Sequence, residues 1–448
     1  STGTATVGSC SGIVTGVAAG TATITYTLST GCYATYGITV NPNPAAITGP
    51  TSVCVGFTIT LADATSGGTW TSSATGIATV GSSTGIVTGV SAGTATITYT
   101  ISTGCYAVYA ITVNPNPAAI AGPTDVCVGL TITLTDATGG GTWTSSSTGT
   151  ATVGSSTGIV TGVAAGTATI TYTLGTGCYA TYDITVNPNP AAITGATSVC
   201  VGSTIALADA TSGGTWTSSS TGVATIGSSS GIVTGVSAGT ATITYTIGTG
   251  CYAVYAITVN PNPAAIAGPT SVCVSYTITL TDATSGGSWT SSATGVATVG
   301  SSTGIVTGVS GGTATITYTL PTGCYTTTTV TVVVSPAAIT GPTDVCVGRT
   351  ITLTDATSGG VWTSSSVPVA TVGSSTGIVT GVALGPATIT YSIGTGCYAV
   401  YSITVNPNPA AITGPVVVCV GRTITLADVT PGGTWTSSST GIATVGSS

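Results

Sequence analysis

The chain repeats itself every 73 residues without insertion or deletion, and that period limits what it can fold into. Trp recurs at Trp70, Trp143, Trp216, Trp289, Trp362 and Trp435. Cys recurs in two series: Cys32, Cys105, Cys178, Cys251, Cys324, Cys397, and Cys54, Cys127, Cys200, Cys273, Cys346, Cys419. A fixed period marks an array of copied units. A unit of this length exceeds a solenoid turn or a propeller blade and is long enough for a small all-β domain with its own core. The expected units are 45–117, 118–190, 191–263, 264–336 and 337–409. They are flanked by the C-terminal part of a unit at 1–44 and the N-terminal part of one at 410–448.

Within one unit, Ser52–Val55 and Thr58–Leu61 read as the first two strands, and Thr69–Thr71 as the third. The run Ala62–Gly68 is a turn cluster. Ala78–Val80 and Ile86–Val90 form a hairpin, and Thr94–Ile101 and Cys105–Val113 form another around Ser102-Thr103-Gly104. About seven short strands with turn signals every 8–12 residues predict an antiparallel sandwich. Side chains alternate between the faces of a strand. Ala95, Ile97, Tyr99 and Ile101 therefore share the core face, as do Ala107, Tyr109, Ile111 and Val113. The position of Ala110 carries Gly37, Asp183, Ala256, Thr329 and Ser402 in other copies, which marks it as solvent-facing. Phe57, Leu130, Ser203, Tyr276, Arg349 and Arg422 mark a second exposed position in the same way.

Val55-Gly56, Leu61, Trp70–Ser73, Ala78–Val80, Gly85–Val90 and Gly93–Thr98 resemble the bacterial Ig-like domain, group 2, and the resemblance recurs in every copy. It implies an all-β tandem array of Ig-like sandwiches. It also implies kinship with stalks of intimin- and invasin-like adhesins and with long bacterial surface proteins, in which such domains serve mostly as spacers. The cysteine pair and the Asn-Pro-Asn-Pro linker depart from the family's commonest pattern.

Composition argues against catalysis. The chain has no His, Lys, Glu, Gln or Met; its charges are Arg349, Arg422 and nine Asp. General acid–base and covalent mechanisms need a titratable group with a second group beside it, and such pairs are scarce. Without a Lys/Arg patch to neutralise phosphates, nucleic acid is not an expected partner. Mean hydropathy is +0.59. Its apolar residues alternate with Thr and are interrupted by Gly and Pro, so no run reaches the ~20 apolar residues of a spanning helix. No catalytic, metal or cofactor-binding residue is expected. Trp70 and its copies could line a sugar face, but a strand Trp in such a sandwich belongs to the core. Asp63 and its copies supply too few oxygens for Ca²⁺ and read as turn residues.

The twelve periodic cysteines are disulfide candidates and point to an extracellular or cell-surface setting. Pairing within a unit, Cys54–Cys105, is the first expectation because such modules usually fold alone. Cys54–Cys178 between consecutive units is its rival, because the first strand's end and the last hairpin's turn fall at opposite poles and a bridge cannot exceed ~7 Å between Cα atoms. Cys10 is odd: it stands where Ser83, Ser156, Ser229, Ser302, Ser375 and Ser448 stand in other copies. The segments 41–44, 114–117, 187–190, 260–263 and 406–409 all read Asn-Pro-Asn-Pro and serve as semi-rigid linkers. Val333-Val334-Ser335-Pro336 keeps only the last proline, so that joint is expected to differ.

These features predict a structural extracellular filament or bacterial surface stalk, self-associating head-to-tail and side by side. The alternative is an adhesin whose repeats bind a glycan or protein of unknown identity. Binding to ice or crystal lattices is a weak third idea, since a twisted sandwich presents no flat lattice. The missing Met and the overlap between Ser1–Cys10 and Ser439–Ser448 favour a window on a longer polypeptide over a ring or complementation between molecules.

Overall fold

The computed structural model describes residues 2–394 and 396–446. Ser1, Thr395, Ser447 and Ser448 lie outside the described residues, and with them the tip of the Gly446-Ser447-Ser448 turn. Five sandwiches follow one another, with cores spanning residues 47–113, 120–186, 193–259, 272–332 and 339–405. The first serves for all, except that the third adds a short strand, Thr194–Gly195, beside Thr204–Ala208 in its second sheet. The strands of the first are β1 (Ser52–Cys54), β2 (Thr58–Thr60), β3 (Thr69–Ser72), β4 (Ala78–Val80), β5 (Ile86–Gly89), β6 (Gly93–Thr100) and β7 (Tyr106–Asn114). One sheet runs β1-β7-β6-β3 and the other β2-β5-β4. The seven strands stand where alternation and turn signals place them, within a residue or two.

Alternation also places the core. Ala95, Ile97 and Tyr99 of β6 are buried with Ile111 and Val113 of β7, and they close on Val53, Leu61, Trp70 and Val87. Ile101, Ala107 and Tyr109 pack against this core half-buried. Ala110 and Asp183 face solvent. Burying each Ile, Leu or Val contributes about 1.5–3 kcal/mol, enough to order such short strands only when both sheets are present. Trp70 is 6% exposed and lies tilted against Tyr99, ring centroids 4.6 Å apart. The Tyr99 hydroxyl donates to Thr65 O at 2.7 Å and accepts from Gly68 N–H at 2.9 Å, tying β6 to the turn before β3. Gly68 must be glycine, because a Cβ there would fall within 2.5–2.8 Å of the Tyr99 ring.

One strand pair decides how the array is built. β1 runs parallel to β7, with Ser52 opposite Thr112 and Cys54 opposite Asn114. β1 therefore ends at the pole from which the chain leaves, while the β6–β7 turn lies at the pole where it entered.

The flanking segments are half-built. Residues 2–40 carry two hairpins, Ala5–Val7 with Val14–Gly16 and Gly20–Thr27 with Tyr33–Val40. No partner sheet covers them, so Tyr26 is 72% exposed where its copy Tyr99 is 6%. Among the described residues after 410, pairing is limited to the Thr413–Ala427 bridge, and Leu426 is 39% exposed where its copy Leu61 is 2%.

Candidate functional site

The parallel β1–β7 pair brings chemistry to the junctions between sandwiches. Four disulfides form there: Cys54–Cys178, Cys127–Cys251, Cys200–Cys324 and Cys273–Cys397. Cα–Cα distances are 5.5–5.7 Å, and each bridge skips 124 residues of backbone. Each joins the β1 cysteine of one sandwich to the hairpin cysteine of the next. Of the two pairings the sequence left nearly even, Cys54–Cys105 within one unit is overturned and its rival Cys54–Cys178 is the one formed. The physical reason is the pole argument: Cys54 sits at the exit pole and Cys105 at the entry pole of the same sandwich, whereas the next hairpin abuts the exit pole directly.

Cys178, Cys251 and Cys324 are fully buried, with Sγ 3.9 Å from Asn114 O, Asn187 O and Asn260 O at the preceding linker. Cys105 takes the same place against Asn41 O at 3.8 Å but is a free thiol. Cys32, Cys346, Cys419 and Cys10 are free as well.

The linkers do more than extend. Asn116 Nδ2 donates to Val55 O at 3.0 Å, and Asn189, Asn262 and Asn408 do the same in their own sandwiches. The divergent joint keeps this contact, since Ser335 Oγ donates to Val274 O at 3.2 Å. Beyond the linker, Ala118 N–H donates to Thr138 Oγ1, whose own N–H donates to Asp136 Oδ1 at 2.7 Å. The repeated Asp thus closes an Asx turn that receives the incoming chain. The exposed variable position also has a junction role that the sequence did not reveal. Phe57 packs edge-on against Tyr179 of the next sandwich, ring centroids 5.4 Å apart. Only the copy-to-copy variation of that position, next to an invariant Tyr in the neighbouring hairpin, could have hinted at it.

Other chemistry is sparse. Among the described residues no group of three or more His, Cys, Asp or Glu is placed to hold a metal ion. No helix is long and apolar enough to cross a membrane. A shallow cleft beside Trp362 is rimmed by Asp355, Thr357, Ser375 and Tyr391. The indole there is buried, so it offers no open face for a sugar to stack on.

The profile of the bacterial Ig-like domain (group 2) matches residues 34–111, 107–185, 180–256 and 253–332, which is more than half of the chain. The chain belongs to this family. Each matched window begins in the last strand of the preceding unit. No curated protein matches the chain. Among solved structures it is similar to a C-terminal 282-residue fragment of intimin in complex with the translocated intimin receptor's intimin-binding domain. There identity is 20%, over 34% of this chain and 67% of that one, with a TM-score of 0.25. It is also similar to domains 1–6 of the surface layer protein SbsC (18% identity, 88% and 67% covered, TM-score 0.16). The N-terminal eight Ig domains of Down syndrome cell adhesion molecule are a third (13%, 87% and 64%, TM-score 0.22). TM-scores of this size carry no argument about function.

Proposed function

We propose that this chain is a structural, non-catalytic segment of an extracellular bacterial filament or surface stalk. The observation that carries the reading is the set of four junction disulfides, each locking one sandwich to the next in a single repeated geometry. A spacer needs uniform, stiff joints, and the Asn-Pro-Asn-Pro linkers and Asx turns supply them beside each bridge. We take the repeat boundaries as 45–117, 118–190, 191–263, 264–336 and 337–409.

Head-to-tail self-association belongs to the same proposal. Residues 410–448 carry the β1–β3 sequence that 1–44 lacks, and 1–44 carries the last four strands. Low charge leaves little repulsion against lateral contact of such rods. Electron microscopy of the oxidised chain tests the reading: extended rods of uniform repeat support it. Compact or randomly flexed particles sink it. Sedimentation of the oxidised chain tests the self-association: a monomer at every concentration removes it.

A further inference from the structure

The connectivity of the bridges does something that a chain of separately stapled domains cannot do. Follow the covalent path from Cys54. It crosses to Cys178, runs along backbone 178–200, crosses to Cys324, and runs along 324–346. A second path runs along 105–127, crosses to Cys251, continues along 251–273, crosses to Cys397, and continues along 397–419. Each backbone stretch is about 22 residues and about 75 Å when extended. It contains the last strand of one sandwich, the linker, and the first strand of the next, so most of it is already extended and it spans two sandwiches.

Both paths are present in every interior sandwich, side by side. In the second one, Asp125–Cys127 belongs to one path and Tyr179–Asn187 to the other. They pair in parallel, Asp125 opposite Thr185 and Cys127 opposite Asn187. The rest of each sandwich, such as residues 128–177 with Trp143 and most of the core, links one path to the other.

We infer that the chain is a covalent ladder built to bear axial tension: two continuous rails carry the load, and the sandwich bodies are rungs shielded from it. Tension along the axis tightens the rails before it reaches the hydrogen bonds of the rungs. The sandwiches then do not unfold in series, as domains strung on one backbone do. A further consequence is tolerance to cleavage. In the interior, one cut in a rail or a rung leaves the molecule connected through the other rail. The inference rests on the bridge connectivity and holds for a filament or a ligand-bearing stalk alike.

Two experiments on the full chain test it. The first is force spectroscopy through the two ends, with free thiols alkylated beforehand. Without reductant, the backbone between Cys54 and Cys324 stays bypassed by the 178–200 rail. Reduction frees about 250 more residues there and lengthens the stretched molecule by roughly 80–90 nm. Equal contour lengths with and without reductant overturn the ladder. The second places a specific protease site in the linker Asn187–Pro190 of the oxidised, alkylated protein. Only Cys127–Cys251 then joins the two halves. After cleavage the protein is expected to run as one species without reductant and as two with it. With Cys127→Ala added, it is expected to separate without reductant. Separation in the parent, with Cys127 intact, refutes the ladder even if the force measurement is obscured by loss of a rod's ends.

Discussion

Replacing Cys200 and Cys324 together by Ala removes the one bridge between the third and fourth sandwiches. If the third sandwich unfolds while the fourth stays folded, that bridge closes a loop of about 60 residues. The chain-entropy relation makes this worth about 4 kcal/mol, at the top of the 2–4 kcal/mol that disulfides usually contribute. The same holds when the fourth unfolds and the third stays. Cys324 is fully buried, so the lost sulfur adds a small cavity cost on the fourth. Because one bridge serves two sandwiches, both should lose about 2–4 kcal/mol, roughly 10–30 °C in melting temperature for domains of this size. The second and fifth sandwiches keep their own bridges, Cys127–Cys251 and Cys273–Cys397, and should change little. Hydrogen exchange of the oxidised, thiol-blocked protein resolves this strand by strand. Amides of Gly239–Thr246 and Gly312–Thr319 should lose protection together, while those of Gly166–Thr173 hold theirs. Loss confined to one sandwich, or spread evenly over all, would refute the shared-bridge reasoning.

Ser275 has φ of 69° where the copies Gly56, Gly129, Gly202 and Gly348 are glycine at φ 75–82°. Ser275→Gly should therefore stabilise the fourth sandwich by about 0.5–1 kcal/mol, after the entropy of a freer unfolded chain, as read by its denaturant midpoint. Gly141→Ala should cost the second sandwich about 1–3 kcal/mol, because the new methyl meets the Tyr172 ring and displaces the hydroxyl bonded to Gly141 N–H and Thr138 O. Near-wild-type stability of that variant would show that the ring moves freely. Asp344 is held below its ordinary 3.8 by hydrogen bonds from the Thr343 hydroxyl and then the Asn406 amide. A depressed folded-state value means that its contribution is complete above 3.8 and fades as pH falls through the lower folded value. Carboxyl NMR should place its midpoint below 3.8 and move it upward in Thr343→Val.

Much of this molecule is legible in its sequence, and the reason is local. Strand, turn and face follow from alternation and from Gly and Asp punctuation, so β1 to β7, the buried Trp series and the exposed Ala110 position could be read directly. Copy-to-copy variation even separated surface from core without any other protein. The unpaired halves at 1–44 and 410–448 were equally plain, since a sandwich needs both sheets to bury Tyr26 or Leu426.

The linkage of the array was only half legible: the opposite poles of a sandwich raised Cys54–Cys178 as a rival, but patterns alone could not choose it over Cys54–Cys105. In a strictly periodic chain, Cys54 stands in the same relation to the hairpin series whether its partner is Cys105 or Cys178, and chain entropy barely distinguishes the two loops. What decides is that β1 lies parallel to β7 and ends beside Asn114, at the exit pole. There it faces the Cys178 hairpin of the next sandwich and is a sandwich's length from Cys105. The formed sheets turn that pole argument from a rival into the observed pairing, and a row of separate domains into a covalently continuous ladder.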